Sequence, residues 1–233
     1  MENSQEIIAD SCVCCQKGWK NFRNLTPDEL KLVNDNRYEA TFKAGEIILK
    51  QGSPASNAVF IHHGLAKMYM EGVSGRNLVL GIAQPGRLIA GPGSYVNSRN
   101  SYSVSSINMV KACFISFDII RDLVRRNSDF AEGMIEDISI KSYKSHQRML
   151  SFAHKKMHGR IAETILMFAD EIFGSDEFEM LLSRQDLGDM TNMAKESVVR
   201  VLKELEQEGI IEVACPKMKI TDRARLQIIS DRG

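Results

Sequence analysis

The chain is short of several things, and each shortage excludes something. Its 233 residues carry 30 Lys and Arg against 30 Asp and Glu, so there is no excess of either sign. A blanket electrostatic binder of polyanions is excluded, and any nucleic-acid site has to be local. No apolar run approaches the ~20 residues needed to span a bilayer. The opening residues include Glu2, Gln5, Glu6 and Asp10 and lack the apolar centre of a secretion signal. A cytoplasmic protein with no membrane partner is therefore expected, and its five cysteines are not a disulfide framework. GxSxG, P-loop and HExxH motifs are all missing, so no enzyme is expected.

What is present falls into four parts. Residues 1–24 are a polar leader holding Cys12, Cys14 and Cys15. Residues 25–127 open with Thr26-Pro27-Asp28-Glu29, a capping box with Pro at the first helical position. From residue 38 to 117 short apolar runs alternate with Gly45, Gly52, Gly64, Gly72, Gly75, Gly81, Gly86, Gly91 and Gly93. Strands are predicted at 47–49, 58–61, 65–70, 78–82 and 113–117, the spacing of a sandwich or barrel. His62-His63 falls on a strand where only one imidazole can face inward. Residues 118–125 read as a short helix. Residues 128–153 read as one long helix with Phe130, Met134, Ile135, Ile138, Met149 and Phe152 at roughly heptad spacing, interrupted by Lys141, Ser142 and Ser145. One apolar stripe on a long helix calls for a partner, either its own domain or a second subunit. The last part is 154–233. No acid occurs between Asp137 and Glu163, while Lys141, Lys144, Arg148, Lys155, Lys156 and Arg160 all do, with His146, His154 and His158. This run is the candidate local cationic patch, or a solvated helix flank.

The most informative stretch is 182–220. Ser183 followed three residues later by Asp186 starts a helix that closes at Met190. Thr191-Asn192-Met193 turns the chain, with Asn192 tolerant of left-handed φ. A second helix spans about 194–208 and stops at Gly209. Val198, Val201, Leu202 and Leu205 share its apolar face, and Lys195, Glu196, Arg200 and Lys203 its polar one. Two strands at 210–213 and 217–220 follow. Short helix, turn, long helix and hairpin make a winged helix–turn–helix, whose second helix can lie in a DNA major groove.

With these motifs in view, the chain resembles the cyclic-AMP receptor/fumarate-and-nitrate-reduction (CRP/FNR) superfamily of transcription factors. The likeness lies in Phe42-Lys43-Ala44-Gly45-Glu46 through Gly52, in Val59 to Gly64, in Gly159-Arg160-Ile161-Ala162, and in Ser183-Arg184-Gln185-Asp186-Leu187-Gly188 leading to Lys195 through Glu206. The resemblance implies an α+β chain: an N-terminal cyclic-nucleotide-binding-type β-roll (jelly roll), a long dimerisation helix and a C-terminal winged helix–turn–helix, hinged near 153–157. It implies a homodimer on a palindromic double-stranded operator, and RNA polymerase as a partner if the protein activates. Glu196, Arg200 and Lys195 fall at the base-reading positions. A Glu can accept from cytosine N4 and an Arg can grip guanine O6 and N7. Arg184, Gln185, Ser197, Lys155, Lys156, His158 and Gly159 are the implied phosphate contacts.

The sensor end departs from the resemblance. Where the cyclic-AMP branch has a Glu after the equivalent of Gly86 this chain has Arg87, next to Leu88, and where that branch has Arg-Ser it reads Asn100-Ser101, with Arg99 one place off. Cyclic AMP is therefore disfavoured as the effector. Cys113 matches the β-roll cysteine of the iron–sulfur branch, and Cys12, Cys14 and Cys15 supply three more thiolates, although Cys-x-Cys-Cys is tighter than that branch's spacing. Ordinary packing of a small apolar side chain accounts for Cys113 equally well. An oxygen- or NO-responsive iron–sulfur regulator, and a degenerate regulator acting as a protein-interaction module, stand as the alternatives.

Overall fold

The structure, a computed structural model, describes residues 19–89 and 93–233. The chain falls into two compact units, one holding the residues up to Val73 and Leu80–Lys141, the other Ser74–Val79 and Ser142–Gly233. The long helix Ser128–His154 contributes to each.

The first unit is a sandwich of two antiparallel four-stranded sheets. One has the order β1 (Arg37–Phe42), β8 (Val110–Ser116), β3 (Asn57–His63), β6 (Leu88–Ile89). The other runs β2 (Ile47–Leu49), β7 (Ser103–Ser106), β4 (Ala66–Glu71), β5 (Asn77–Ala83). Successive side chains point to opposite faces of a strand, and here both faces of the first sheet are covered. Val59, Ile61, Val110, Ala112 and Phe114 turn into the sandwich with Ile48, Ala66, Ala83 and Val104. Ala58, Phe60, Cys113 and Ile115 turn the other way, onto a helical layer of Trp19, Phe22, Val33, Ile120, Leu123, Phe130 and Met134. Burial on both faces is why β3 and β8 read as continuous apolar runs rather than alternating ones.

Neither His62 nor His63 faces inward; both are exposed, because the register of β3 shifts between Ile61 and His63. Phe130 and Met134 do not belong to an open seam. They are buried within their own subunit, whereas Ile135 and Ile138 are 65 % and 60 % exposed.

Residues just ahead of the capping-box helix Pro27–Asp35 lock onto the long helix. Trp19 Nε1 donates to Asp137 at 2.6 Å and Asn21 Nδ2 to the Phe130 carbonyl at 2.7 Å. Gly133 makes room, since a Cβ there would stand 2.0 Å from Asn21 Oδ1.

Within the second unit the long helix stops at His154 and the chain restarts as helix Met157–Met167, a two-residue break inside the expected hinge segment. A wider π-helical turn, Phe168–Phe173, ends at Gly174 in left-handed backbone. The wing has three strands rather than two: β9 (Glu177–Glu179) joins the β10 (Ile211–Ala214) and β11 (Lys217–Ile220) hairpin along β11. A final helix, Arg223–Arg232, is capped by Asp222, whose Oδ1 accepts from Arg225 N at 3.0 Å.

Candidate nucleic-acid interface and sensor residues

The first helix of the reader, Arg184–Thr191, is closed at its start by a reciprocal cap. Asp186 N donates to Ser183 Oγ at 3.0 Å and Ser183 N to Asp186 Oδ2 at 3.1 Å. Asn192 takes left-handed backbone (φ 53°, ψ 50°) and turns the chain. Gly188 is needed because the turn folds back on it: a Cβ would stand 2.7 Å from the Met193 carbonyl oxygen. The second helix, Lys195–Gln207, buries Val198, Val201, Leu202 and Leu205 at 0–4 % exposure, while Lys195, Glu196, Arg200 and Lys203 are exposed and Ser197 is half-buried. The inward stripe fixes the rotation of the helix, and the outward residues form one accessible ridge.

Arg200 lies along the helix rather than out from it. Its Nε is 3.9 Å from Glu204 Oε1 and its Nη2 is 3.8 Å from Met157 Sδ. The other Glu204 oxygen lies 2.6 Å from His158 Nε2. Glu204 was not singled out by sequence, although its i+4 spacing from Arg200 was available as a signal. Lys156 is exposed, but its N–H donates to the Gly233 carbonyl at 3.2 Å. Gly159 is buried, and a Cβ on it would stand 2.6 Å from Gly233 Cα, so close packing against the final helix explains this glycine. Arg184 is half-buried, and Gln185 donates to Asp189 at 2.8 Å.

Most of the cationic run is turned to internal use. Lys141 Nζ donates to the Leu88 carbonyl at 3.1 Å, Lys144 to Glu171 at 2.6 Å, and Lys155 to Glu163 at 3.0 Å. Arg148 donates to the Met190 carbonyl. Arg160 donates to the carbonyls of Phe152 at 2.8 Å, Lys155 at 2.9 Å and Thr191 at 3.4 Å. Both guanidiniums lie over the Phe152 ring, 5.3 and 5.8 Å from its centroid. The last carbonyls of a helix have no partner within it, and here two arginines satisfy those of the long helix and of the first reader helix. Burial lowers Arg148 from the ordinary arginine range to about 10.

The five sensor candidates do not converge on one open site among the described residues. Arg87 is exposed and Leu88 buried. Arg99 Nη1 donates to the Gly52 carbonyl at 2.7 Å, and Asn100, also buried, donates through Nδ2 to Ser53 Oγ at 3.0 Å. Ser101 sits against Gly93, where a Cβ would stand 2.7 Å from its Oγ. These residues brace the short helix Gly93–Val96 against the 52–53 turn. Cys113 is 5 % exposed in the helical-layer core, with Arg37 Nη1 4.0 Å from its sulfur. Cys12, Cys14 and Cys15 lie outside the described residues. Among the described residues no group of three or more His, Cys, Asp or Glu is placed to hold a metal ion, and no helix is long and apolar enough to cross a membrane.

Comparison with known proteins agrees with this architecture. Residues 39–127 match the cyclic nucleotide-binding domain family and residues 159–229 the Crp-like helix-turn-helix domain family. Electron transport regulator A of Shewanella oneidensis is 24 % identical over 211 residues, 88 % of this chain and 84 % of that protein. The cAMP-activated global transcriptional regulator CRP of Salmonella typhimurium is 23 % identical over 168 residues, 70 % and 80 % of the two chains. In fold, the structure of FixK2 from Bradyrhizobium japonicum superposes with a TM-score of 0.76 at 18 % identity, covering 83 % of this chain and 96 % of that one. The c-di-GMP responsive global regulator CLP of Xanthomonas campestris gives 0.72 at 16 % identity, covering 84 % and 99 %. With both domain families matched in order around a long helix, and regulators of one kind on every side, the chain belongs to the CRP/FNR family of transcription regulators.

Proposed function

We propose that the protein binds an inverted-repeat operator as a homodimer, in the cytoplasm of a bacterium, under control of an effector other than cyclic AMP. Glu196 and Arg200 read base edges, Lys195 reads a base or a phosphate, and Lys156, Arg184 and Ser197 lie where the backbone passes. The observation that carries this is the division of the helix Lys195–Gln207 into a buried apolar stripe and an exposed Lys195, Glu196 and Arg200 ridge, directly after a Ser183-capped helix and an Asn192 turn. Two-fold pairing is supported by the open Ile135, Ile138 and Met149 positions of the long helix. Two such readers related by a two-fold axis require half-sites about one helical turn apart. RNA polymerase is the expected second partner where the bound dimer activates. An effector other than cyclic AMP is supported by Arg99 and Asn100 being spent on the 52–53 turn.

The test is selection from a random-sequence duplex pool. The wild-type protein should enrich an inverted repeat, and Arg200→Ala should lose base preference by about 1–3 kcal/mol at one position per half-site while keeping salt-sensitive binding. Equal loss on selected and random DNA would contradict base reading.

A further inference from the structure

An acid at position 204 is unexpected on three counts. It sits in the last turn of the helix Lys195–Gln207, where the helix dipole disfavours a carboxylate. Its pairing with Arg200 runs cation first and acid second at i,i+4, the poorer order for helix stability. It also lies on a helix meant to approach a polyanion, which each added negative charge repels. Helix stability and attraction to phosphate therefore both argue against Glu204.

What the structure shows at Glu204 is a carboxylate facing a guanidinium at ion-pair range. Nε and Nη2 make one edge of the planar Arg200 fork, and that edge is occupied: Nε faces Glu204 Oε1 at 3.9 Å and Nη2 faces Met157 Sδ at 3.8 Å. The other edge, Nη1 with the outer hydrogen of Nη2, makes no hydrogen bond among the described residues. That is the edge suited to meet guanine O6 and N7 end-on. The carboxylate is itself pinned, since its second oxygen lies 2.6 Å from His158 Nε2 on the neighbouring helix.

We infer that Glu204, steadied by His158, is a positioning residue for base reading, which holds Arg200 by one edge so that its free edge is presented to guanine. An arginine otherwise gives up much rotamer freedom when it settles on a base. Clamped beforehand, it loses less, and the gain falls on the correct base alone. The inference rests on the base-reading role of Arg200 and adds the device that orients it.

The experiment uses the full-length protein and the inverted repeat that the wild type enriches from a random pool. Affinity is measured on that operator, on the operator with the Arg200-dependent base pair changed, and on random duplex, for Glu204→Ala and Glu204→Gln. Glu204→Ala should bind random duplex at least as tightly as the wild type, having one negative charge fewer, while its preference for the correct base pair falls about tenfold. Glu204→Gln, which keeps the size of the side chain and removes only its charge, should lose preference in the same direction and so guards against a packing defect in the alanine variant. A change by one common factor on all three duplexes, or an unchanged preference in both variants, overturns the inference. Failure of the wild type to enrich any repeat, or of Arg200→Ala to lose preference, overturns the base-reading assignment and this inference with it.

Discussion

Replacing Ile138 tests the proposed dimer at its most exposed element. Ile135, Ile138 and Met149 stand 65 %, 60 % and 58 % exposed on the long helix, and with Ser142 and Ser145 they recur at alternating steps of three and four residues. Fully burying an isoleucine side chain is worth about 1.5–3 kcal/mol, and more than half of that remains ungained at Ile138 in the single chain. A symmetric pair loses the contribution twice, so Ile138→Ala should cost about 2–4 kcal/mol of association, roughly a 30- to 1,000-fold rise in dimer Kd. Ile138→Asp adds two like charges facing across a desolvated seam and should leave monomer throughout the micromolar range. Sedimentation velocity over a concentration series reads this directly, with circular dichroism to confirm that the chain is folded. Ile140→Asp is the control. Ile140 is 44 % exposed but lies on the far side of the helix from the seam, so its substitution should leave the dimer intact. The reasoning is refuted if Ile138→Asp sediments as the wild type does, or if the two aspartates act alike.

Three further outcomes are expected. Gly188→Ala places a Cβ 2.7 Å from a main-chain oxygen that cannot swing away, and should destabilise the reader by about 1–3 kcal/mol, seen as a lower melting temperature; an unchanged melt would mean the turn is looser than drawn. The Glu29 carboxyl is held below its ordinary 4.5 chiefly by the Thr26 backbone N–H, with Asn127 and the Thr26 hydroxyl assisting. Its contribution to stability is complete above that ordinary value and is lost as pH falls through the lowered one, so the wild-type melting temperature should approach that of Glu29→Gln at strongly acid pH; a gap that widened there would reverse the sign. Operator affinity should fall with salt at a logarithmic slope near −5, from Lys156, Arg184 and Lys195 in each of two subunits, whereas a slope beyond about −10 in an anisotropy titration would mean that the whole 141–160 run meets phosphate.

The helix–turn–helix was legible because its signals are local. Ser183 and Asp186 cap each other, Asn192 supplies the turn, and Gly209, at φ 68°, ends the second helix. The β-roll was legible only in part. β1 sets Tyr38, Ala40 and Phe42 alternately with Arg37, Glu39 and Thr41, but none of the six is fully buried, so its apolar signature is weak beside the continuous runs of β3 and β8. β7 is Ser-Val-Ser-Ser, which reads as a loop, yet all four residues are buried. Its hydroxyls are satisfied by partners remote in sequence: Ser103 Oγ donates to Glu71 at 2.6 Å and accepts from Gln51 N at 2.9 Å, and Ser106 Oγ donates to the Lys43 carbonyl. The final helix, Arg223–Arg232, carried an Asp222 cap in plain view, but the reason for Gly159, the close approach of that helix, exists only in three dimensions. The partners of the cationic run were hidden for the same reason. A count of Lys and Arg shows the donors, whereas the acceptors are backbone carbonyls at helix ends and the acids Glu163 and Glu171.

That redirection of cations also bears on how the reader is held. Arg148 and Phe152 lie in the last two turns of the long helix, and Arg160 in the first turn of the next one. Arg148 reaches the Met190 carbonyl and Arg160 those of Phe152 and Thr191, with the Phe152 ring beneath both guanidiniums. Each lost bond to a charged donor costs about 1.5–3 kcal/mol, so turning this end of the helix either drags the 190–192 turn along or breaks several such bonds together. The end of the long helix is therefore tied to the turn that precedes the helix Lys195–Gln207, and substituting Phe152 or Arg160 should loosen that tie without touching a side chain of that helix.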